Sequence, residues 1–118
     1  MVVDDTDDVR LMITQSLVLA GYRVVEAING QEAVELVRRK CPDLILMDLN
    51  MPVLDGLSAT KRIRDYKEQC RDVPVVAITA YDADGMRNIA FKAGCNGYIP
   101  KPIDLDRLEQ VVTRFLSR

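Results

Sequence analysis

Residues 44–52 read Leu44-Ile45-Leu46-Met47-Asp48-Leu49-Asn50-Met51-Pro52, an apolar run that stops on an acid and meets a proline soon after. The segment Leu44–Met47 is too short for a helix, and no polar residue alternates within it, so it describes a strand buried on both faces. Comparable runs stand at Met1–Val3, Tyr22–Val25, Val73–Ile78 and Gly97–Ile99. Between them the apolar residues take helical spacing: Val9, Met12, Ile13, Leu17 and Ala20; Ala33, Val34 and Val37; Leu57, Thr60 and Ile63; Met86, Ile89, Ala90 and Ala93; Leu105, Leu108, Val111, Val112 and Phe115. Gly21, Gly94 and the pairs Asn29-Gly30 and Asp55-Gly56 fall at the junctions, where a turn or a positive φ is wanted.

Five strands alternating with five helices predict an α/β fold, a doubly wound (βα)5 parallel sheet of flavodoxin-like order 2-1-3-4-5 with helices on both faces. A chain of 118 residues fits one domain, residues 1–118, because a core of this size removes roughly 65% of the unfolded surface from water. The 48% hydrophobic and 29% charged content is that of a globular protein, and the net charge of -2 offers no basic excess for nucleic acid or an anionic membrane. No apolar run reaches membrane-spanning length and no signal stretch opens the chain, so a cytoplasmic location is expected. Cys41, Cys70 and Cys95 show no C-x-x-C spacing and are expected as free thiols. The absence of histidine excludes Ser-His-Asp and Cys-His nucleophiles and an imidazole base. Chemistry must therefore run on carboxylates, lysine and hydroxyls.

In a sheet of order 2-1-3-4-5 winding reverses between strands 1 and 3, and ligands bind beyond the carboxyl ends of the strands there. The residues that meet are Asp4 and Asp5 after strand 1, Asp48 after strand 3, Thr79 at the end of strand 4 and Lys101 after strand 5. Asp7 or Asp8 is expected to cap the first helix. Three carboxylates in one crevice repel unless a cation intervenes, and an all-oxygen donor set with open positions suits Mg2+. A lysine opposite that cation leaves one anionic position between two positive groups, which fits a phosphoryl group. Asp48, at the centre, is the candidate nucleophile.

The segments Val3-Asp4-Asp5, Leu46-Met47-Asp48-Leu49-Asn50-Met51-Pro52 with Asp55-Gly56, Ala77-Ile78-Thr79-Ala80, Gly94-Cys95-Asn96-Gly97-Tyr98 and Lys101-Pro102 together resemble a response-regulator receiver domain. The resemblance implies that Asp48 accepts a phosphoryl group from a phosphohistidine on a histidine kinase or histidine phosphotransfer protein. It also implies that the domain catalyses its own phosphorylation and dephosphorylation and passes the signal to a downstream protein effector. Mg2+ would be ligated by Asp5, Asp48 and the backbone carbonyl of Asn50, with Asp4 acting through water. Lys101 would pair with the phosphoryl oxygens, Thr79 would hydrogen-bond one of them, and Tyr98 would report the change by rotating. Asn50 and Tyr81 would set the access of hydrolytic water, and the Lys101-Pro102 bond would be cis. Strand 1 is shorter than the family usually shows, and Cys95 stands where alanine is more usual, as a packing substitution.

A flavin carrier of the same architecture would offer a hydroxyl and glycine loop after strand 1, where Asp4 and Asp5 would repel a phosphate. Asp5-Thr6-Asp7 has the spacing of aspartyl-nucleophile phosphatases, but the lysine, threonine and Asp48 fit the receiver better. No phosphate-binding G-x-x-x-x-G-K loop is present. A receiver-like module that works without phosphorylation is the remaining alternative. The chain ends after its fifth helical pattern, so output is expected through another protein or a domain outside it, without direct nucleic-acid or membrane binding. Lys61, Arg62, Arg64 and Lys67 read as a solvated helix face.

Overall fold

The computed structural model describes residues 1–51, 55–66, 70–79 and 84–116. Its elements are β1 (Val2–Val3), α1 (Asp7–Leu19), β2 (Glu26–Ala27), α2 (Gly30–Arg39), β3 (Ile45–Asp48), α3 (Gly56–Asp65), β4 (Val75–Thr79), α4 (Asp84–Ala93), β5 (Gly97–Pro100) and α5 (Leu105–Leu116). All strands are parallel, in the order β2-β1-β3-β4-β5. The expected doubly wound topology is therefore the one observed.

The apolar runs serve two cores at once because successive strand side chains point to opposite faces. Val3, Ile45, Met47, Val75 and Ala77 pack under α2, α3 and α4 with Ala33, Val37, Ala59, Ile63 and Ala90. Val2, Leu46, Val76 and Ile78 pack under α1 and α5 with Ile13, Leu17, Leu108 and Val112. A strand read this way needs apolar residues at every position, which explains the lack of alternation in the sequence.

The edge strand differs from expectation. Pairing begins at Glu26, while Tyr22 and Val24 pack against the core beneath α1 and α5 and Val25 stays half-exposed. The apolar run marks a packed approach, and the strand that follows it carries an acid. β1 is short, yet Met1 extends its contacts: its amino group donates to the Leu44 carbonyl at 2.8 Å and its carbonyl accepts from the Leu46 N–H at 2.9 Å.

Neither Asp7 nor Asp8 caps α1; Thr6 is its N-cap residue, and both acids lie in the first turn, where the helix dipole favours negative charge. Asn29 and Asp55 do cap their helices, accepting the N–H groups of Glu32 and Ser58 at 2.8 Å. Gly21 and Gly94 hold φ of 97° and 111° as the junctions required.

Two further expectations are corrected. Cys41 and Cys70 are joined by a disulfide, with Cα atoms 5.6 Å apart, because the turns before β3 and β4 run side by side. Their separation along the chain hides that adjacency. Cys95 is free and buried beside Thr60, in keeping with a packing role, and burial raises its thiol pKa. Arg64 does not belong to a solvated face either. Its Nε and Nη2 donate to the Gly94 carbonyl at 3.0 and 2.8 Å, its Nη1 to the Arg71 carbonyl at 2.8 Å, and its Nη2 to Asn96 Oδ1 at 2.7 Å. Lys61 and Arg62 are exposed as expected, and Lys67 lies outside the described residues.

Candidate functional site

Asp48 is the last residue of β3, and the next residue, Leu49, donates its N–H to the Ile78 carbonyl at 3.0 Å, which fixes the strand end against β4. On its other side the chain returns as α3, and Gly56 donates its N–H to the Leu49 carbonyl at 3.3 Å. A Cβ at Gly56 would run into the Asp48 carbonyl oxygen, with the Leu49 Cα only 2.8 Å away. Glycine is thus required there for close approach to the acid, with its neighbour Asp55 supplying the helix cap.

One carboxylate oxygen each from Asp4, Asp5 and Asp48 lie within 4.8 Å of one another. Asp4 and Asp48 are both 1% exposed, whereas Asp5 faces solvent. Asp4 Oδ1 accepts the Thr6 N–H at 2.8 Å and Asp48 Oδ1 the Asn50 N–H at 3.1 Å. Lys101 Nζ stands 3.4 Å from Asp48 Oδ2 and 3.7 Å from Asp4 Oδ2. The lysine is delivered by β5: its N–H donates to the Thr79 carbonyl at 2.8 Å, and the bond to Pro102 is cis as expected. Thr79, fully buried at the end of β4, receives Asn50 Nδ2 on its hydroxyl at 3.5 Å.

Burial raises the pKa of Asp48 above the ordinary carboxylate value, the Asn50 N–H opposes that, the Asp4 charge adds to it and Lys101 offsets part. One cation thus serves two buried acids. Among the described residues no hydrogen-bond donor reaches Asp4 Oδ2. A buried carboxylate oxygen without a donor, in an all-oxygen cluster of three acids, is the donor set of a hard divalent cation such as Mg2+, so these residues fit the ion.

The sequence reading located Asp4, Asp5, Asp48, Asn50, Thr79 and Lys101, and these come together. Tyr98 lies on β5, half-buried and packed on the core beneath α2, α3 and α4. Tyr81 lies outside the described residues. Arg10 was missed: its Nη1 donates to the Asp4 carbonyl at 2.9 Å and its Nε to Glu26 Oε1 at 3.0 Å. Its position six residues beyond Asp4, in the first turn of α1, was the only available signal, and the partner on β2 could not be foreseen once that strand was expected earlier.

The model of the response regulator receiver domain family matches residues 1–113. The polar-differentiation response regulator DivK of Brucella anthropi is 34% identical over 117 residues, 99% of this chain and 94% of that protein. The receiver domain of the Pseudomonas aeruginosa sensor histidine kinase PA1611, solved with a magnesium ion coordinated in its active-site cleft, is 38% identical with a TM-score of 0.91, covering 99% of this chain and 95% of that one. A response regulator from Chloroflexus aurantiacus reaches a TM-score of 0.93 at 32% identity, with coverages of 99% and 95%. Because the family match takes in all five strands and the likeness runs nearly end to end, the chain belongs to the receiver-domain family of two-component response regulators.

Proposed function

We propose that Asp48 is the phosphoacceptor of this receiver domain and that residues 1–118 act as one phosphorylation-dependent switch. The observation that carries this is Lys101 Nζ at 3.4 Å from Asp48 Oδ2 within a cluster of three acids. Membership of the receiver-domain family makes the donor a phosphohistidine on a histidine kinase or histidine phosphotransfer protein, and a sequence without histidine agrees with an imidazole supplied from outside. An Asp48 oxygen attacks phosphorus and the P–N bond breaks. Its electron pair returns to the donor imidazole, which is protonated, and an acyl phosphate remains on Asp48.

Asp5, Asp48 and the Asn50 carbonyl would hold Mg2+, with Asp4 acting through water, and the ion would supply neutralising charge for the phosphoryl oxygens. Lys101 pairs with one of those oxygens and the Thr79 hydroxyl donates to another. The movement of Thr79 toward the phosphoryl group gives Tyr98 space to rotate, and the altered surface is read by a downstream protein in the cytoplasm. Asn50 and Tyr81 control the water that hydrolyses the acyl phosphate. Among the described residues no helix is long and apolar enough to cross a membrane.

Incubation with acetyl phosphate and Mg2+, followed by intact mass, tests this. The wild type is expected to gain one phosphoryl group and Asp48→Asn none at the native rate. Equal uptake by the variant would assign the acceptor elsewhere, and no uptake by the wild type would leave a binding module that works without phosphorylation.

A further inference from the structure

The Arg10 side chain is 11% exposed, although it lies on the first turns of a surface helix. It reaches three acceptors in three directions: the Asp4 carbonyl from Nη1 at 2.9 Å, Glu26 Oε1 from Nε at 3.0 Å, and Asp7 Oδ1 from Nη2. The Asp7 side chain is 77% exposed, so that contact is a surface ion pair of small worth. The other two are different in kind. The Asp4 carbonyl belongs to the peptide that joins Asp4 to Asp5, and its plane sets the direction in which Asp5 projects. Glu26 opens β2 and pairs with Val2, so it is anchored to the sheet independently of α1. The guanidinium therefore spans helix, edge strand and acidic turn, and a planar fork can do this where a single ammonium cannot.

We propose that Arg10 is a positioning residue for the cation site, holding the Asp4–Asp5 peptide against β2 through Glu26 so that Asp5 meets a divalent ion directly and Asp4 meets it through water. This rests on the assignment of the acid cluster as the Mg2+ site. Coulomb repulsion alone acts the other way: a fixed positive charge near the cluster opposes a second cation, so removing it would tighten Mg2+ binding. Positioning requires that removal weaken it. The sign of the change separates the two roles.

Calorimetric Mg2+ titration of the wild type, Arg10→Lys, Arg10→Gln and Glu26→Gln, with thermal melts of each protein in a chelator, is the experiment. Arg10→Gln and Arg10→Lys are both expected to raise the Mg2+ dissociation constant about tenfold, which is ~1.4 kcal/mol. The lysine does not rescue because it keeps the charge and loses the fork. Glu26→Gln, which touches no proposed ligand, is expected to weaken binding about threefold. Combined with Arg10→Gln it adds nothing further, because both act through one contact. Unchanged or tighter Mg2+ binding by the Arg10 variants, with or without a lower melting temperature, would overturn the proposal. If Arg10→Gln does not fold, Arg10→Lys decides on the same readout, because it keeps the charge and changes only the fork, whereas Glu26→Gln also removes a negative charge and weakens cation binding under either role. A wild type that takes up no Mg2+ would overturn the cation site and this role together. A wild type that binds Mg2+ but gains no phosphoryl mass would remove only the acceptor assignment, and the affinities would still decide for or against Arg10.

Discussion

At the N-terminal ends of β3, β4 and β5 the polar groups are matched, while at the C-terminal ends of β1 and β3 they are left in deficit. Before β5, Asn96 Oδ1 accepts both the Val75 N–H at 3.0 Å and Arg64 Nη2 at 2.7 Å, and the same guanidinium closes the carbonyls of Gly94 and Arg71. Gly94 carries no Cβ, which would meet Arg64 Cγ at 2.9 Å, so the arginine stem lies directly on the backbone. The Cys41–Cys70 bond joins the neighbouring turns. At the opposite end Asp4 and Asp48 are buried as deeply as the core yet share one lysine, and among the described residues no hydrogen-bond donor reaches Asp4 Oδ2. The difference teaches where this fold gains stability and where it gives some up: acids that one lysine only partly neutralises are unfavourable by themselves, and the same arrangement favours a cation.

The largest effect should come from breaking the matched end. Arg64→Ala removes charge-assisted hydrogen bonds and leaves the Gly94 carbonyl and Asn96 Oδ1 short of donors, at a cost of about 2 kcal/mol. For a domain of this size that is a fall of about 8 °C in melting temperature. Because none of these atoms belongs to the acid cluster, the Mg2+ dissociation constant should stay at its wild-type value. A change in Mg2+ affinity as large as the change in stability would show that the two ends are coupled and would break the contrast.

A smaller effect of opposite sign is expected at the acids. Asp48→Asn keeps an oxygen to accept the Asn50 N–H and deletes a charge that burial and Asp4 both disfavour. The metal-free variant should be about 1 kcal/mol more stable than the wild type. Mg2+ at ten times its dissociation constant should add ~1.4 kcal/mol to the wild type and little to the variant. Equal stabilisation of the two proteins by Mg2+ would show that Asp48 is not among the ligands.

The acids were legible in the sequence because each follows an apolar run, and a parallel sheet fixes which run ends lie together. The matched end was not. Arg64 sits among Lys61, Arg62 and Lys67 in the sequence, and nothing in that local charge pattern distinguishes Arg64, whose side chain turns inward to Gly94, from its exposed neighbours Lys61 and Arg62. Cys41 and Cys70 meet only because two turns run alongside, a fact of tertiary geometry. Arg10 escaped for a related reason: its acceptor Glu26 looked like a polar residue beyond strand 2, when it is the residue that opens it. Apolar periodicity reports what is buried against the sheet, and it is silent on which polar side chains bridge between elements.

The smallest effect concerns pH. The pKa of Asp48 is raised above its usual 3.8, chiefly by burial. A carboxyl whose folded pKa exceeds its unfolded one is bound to its proton more tightly in the native state. Its contribution to stability is therefore fully present below about pH 3.8 and is lost as pH rises through the folded value. Asp48→Asn has no such group. The stability of the metal-free variant relative to the wild type should accordingly grow as pH rises from about 4, and then level once Asp48 is ionised in both states. With saturating Mg2+ the trend should reverse, because the ion requires the carboxylate and competes with the proton, so the wild type gains on the variant over the same interval. Denaturant melts of both proteins at intervals from pH 4 to 8, with chelator and with Mg2+, measure the two difference curves. A flat curve in chelator would mean that Lys101 and the Asn50 N–H neutralise Asp48 completely, and the acid end of the sheet would then be as well matched as the other.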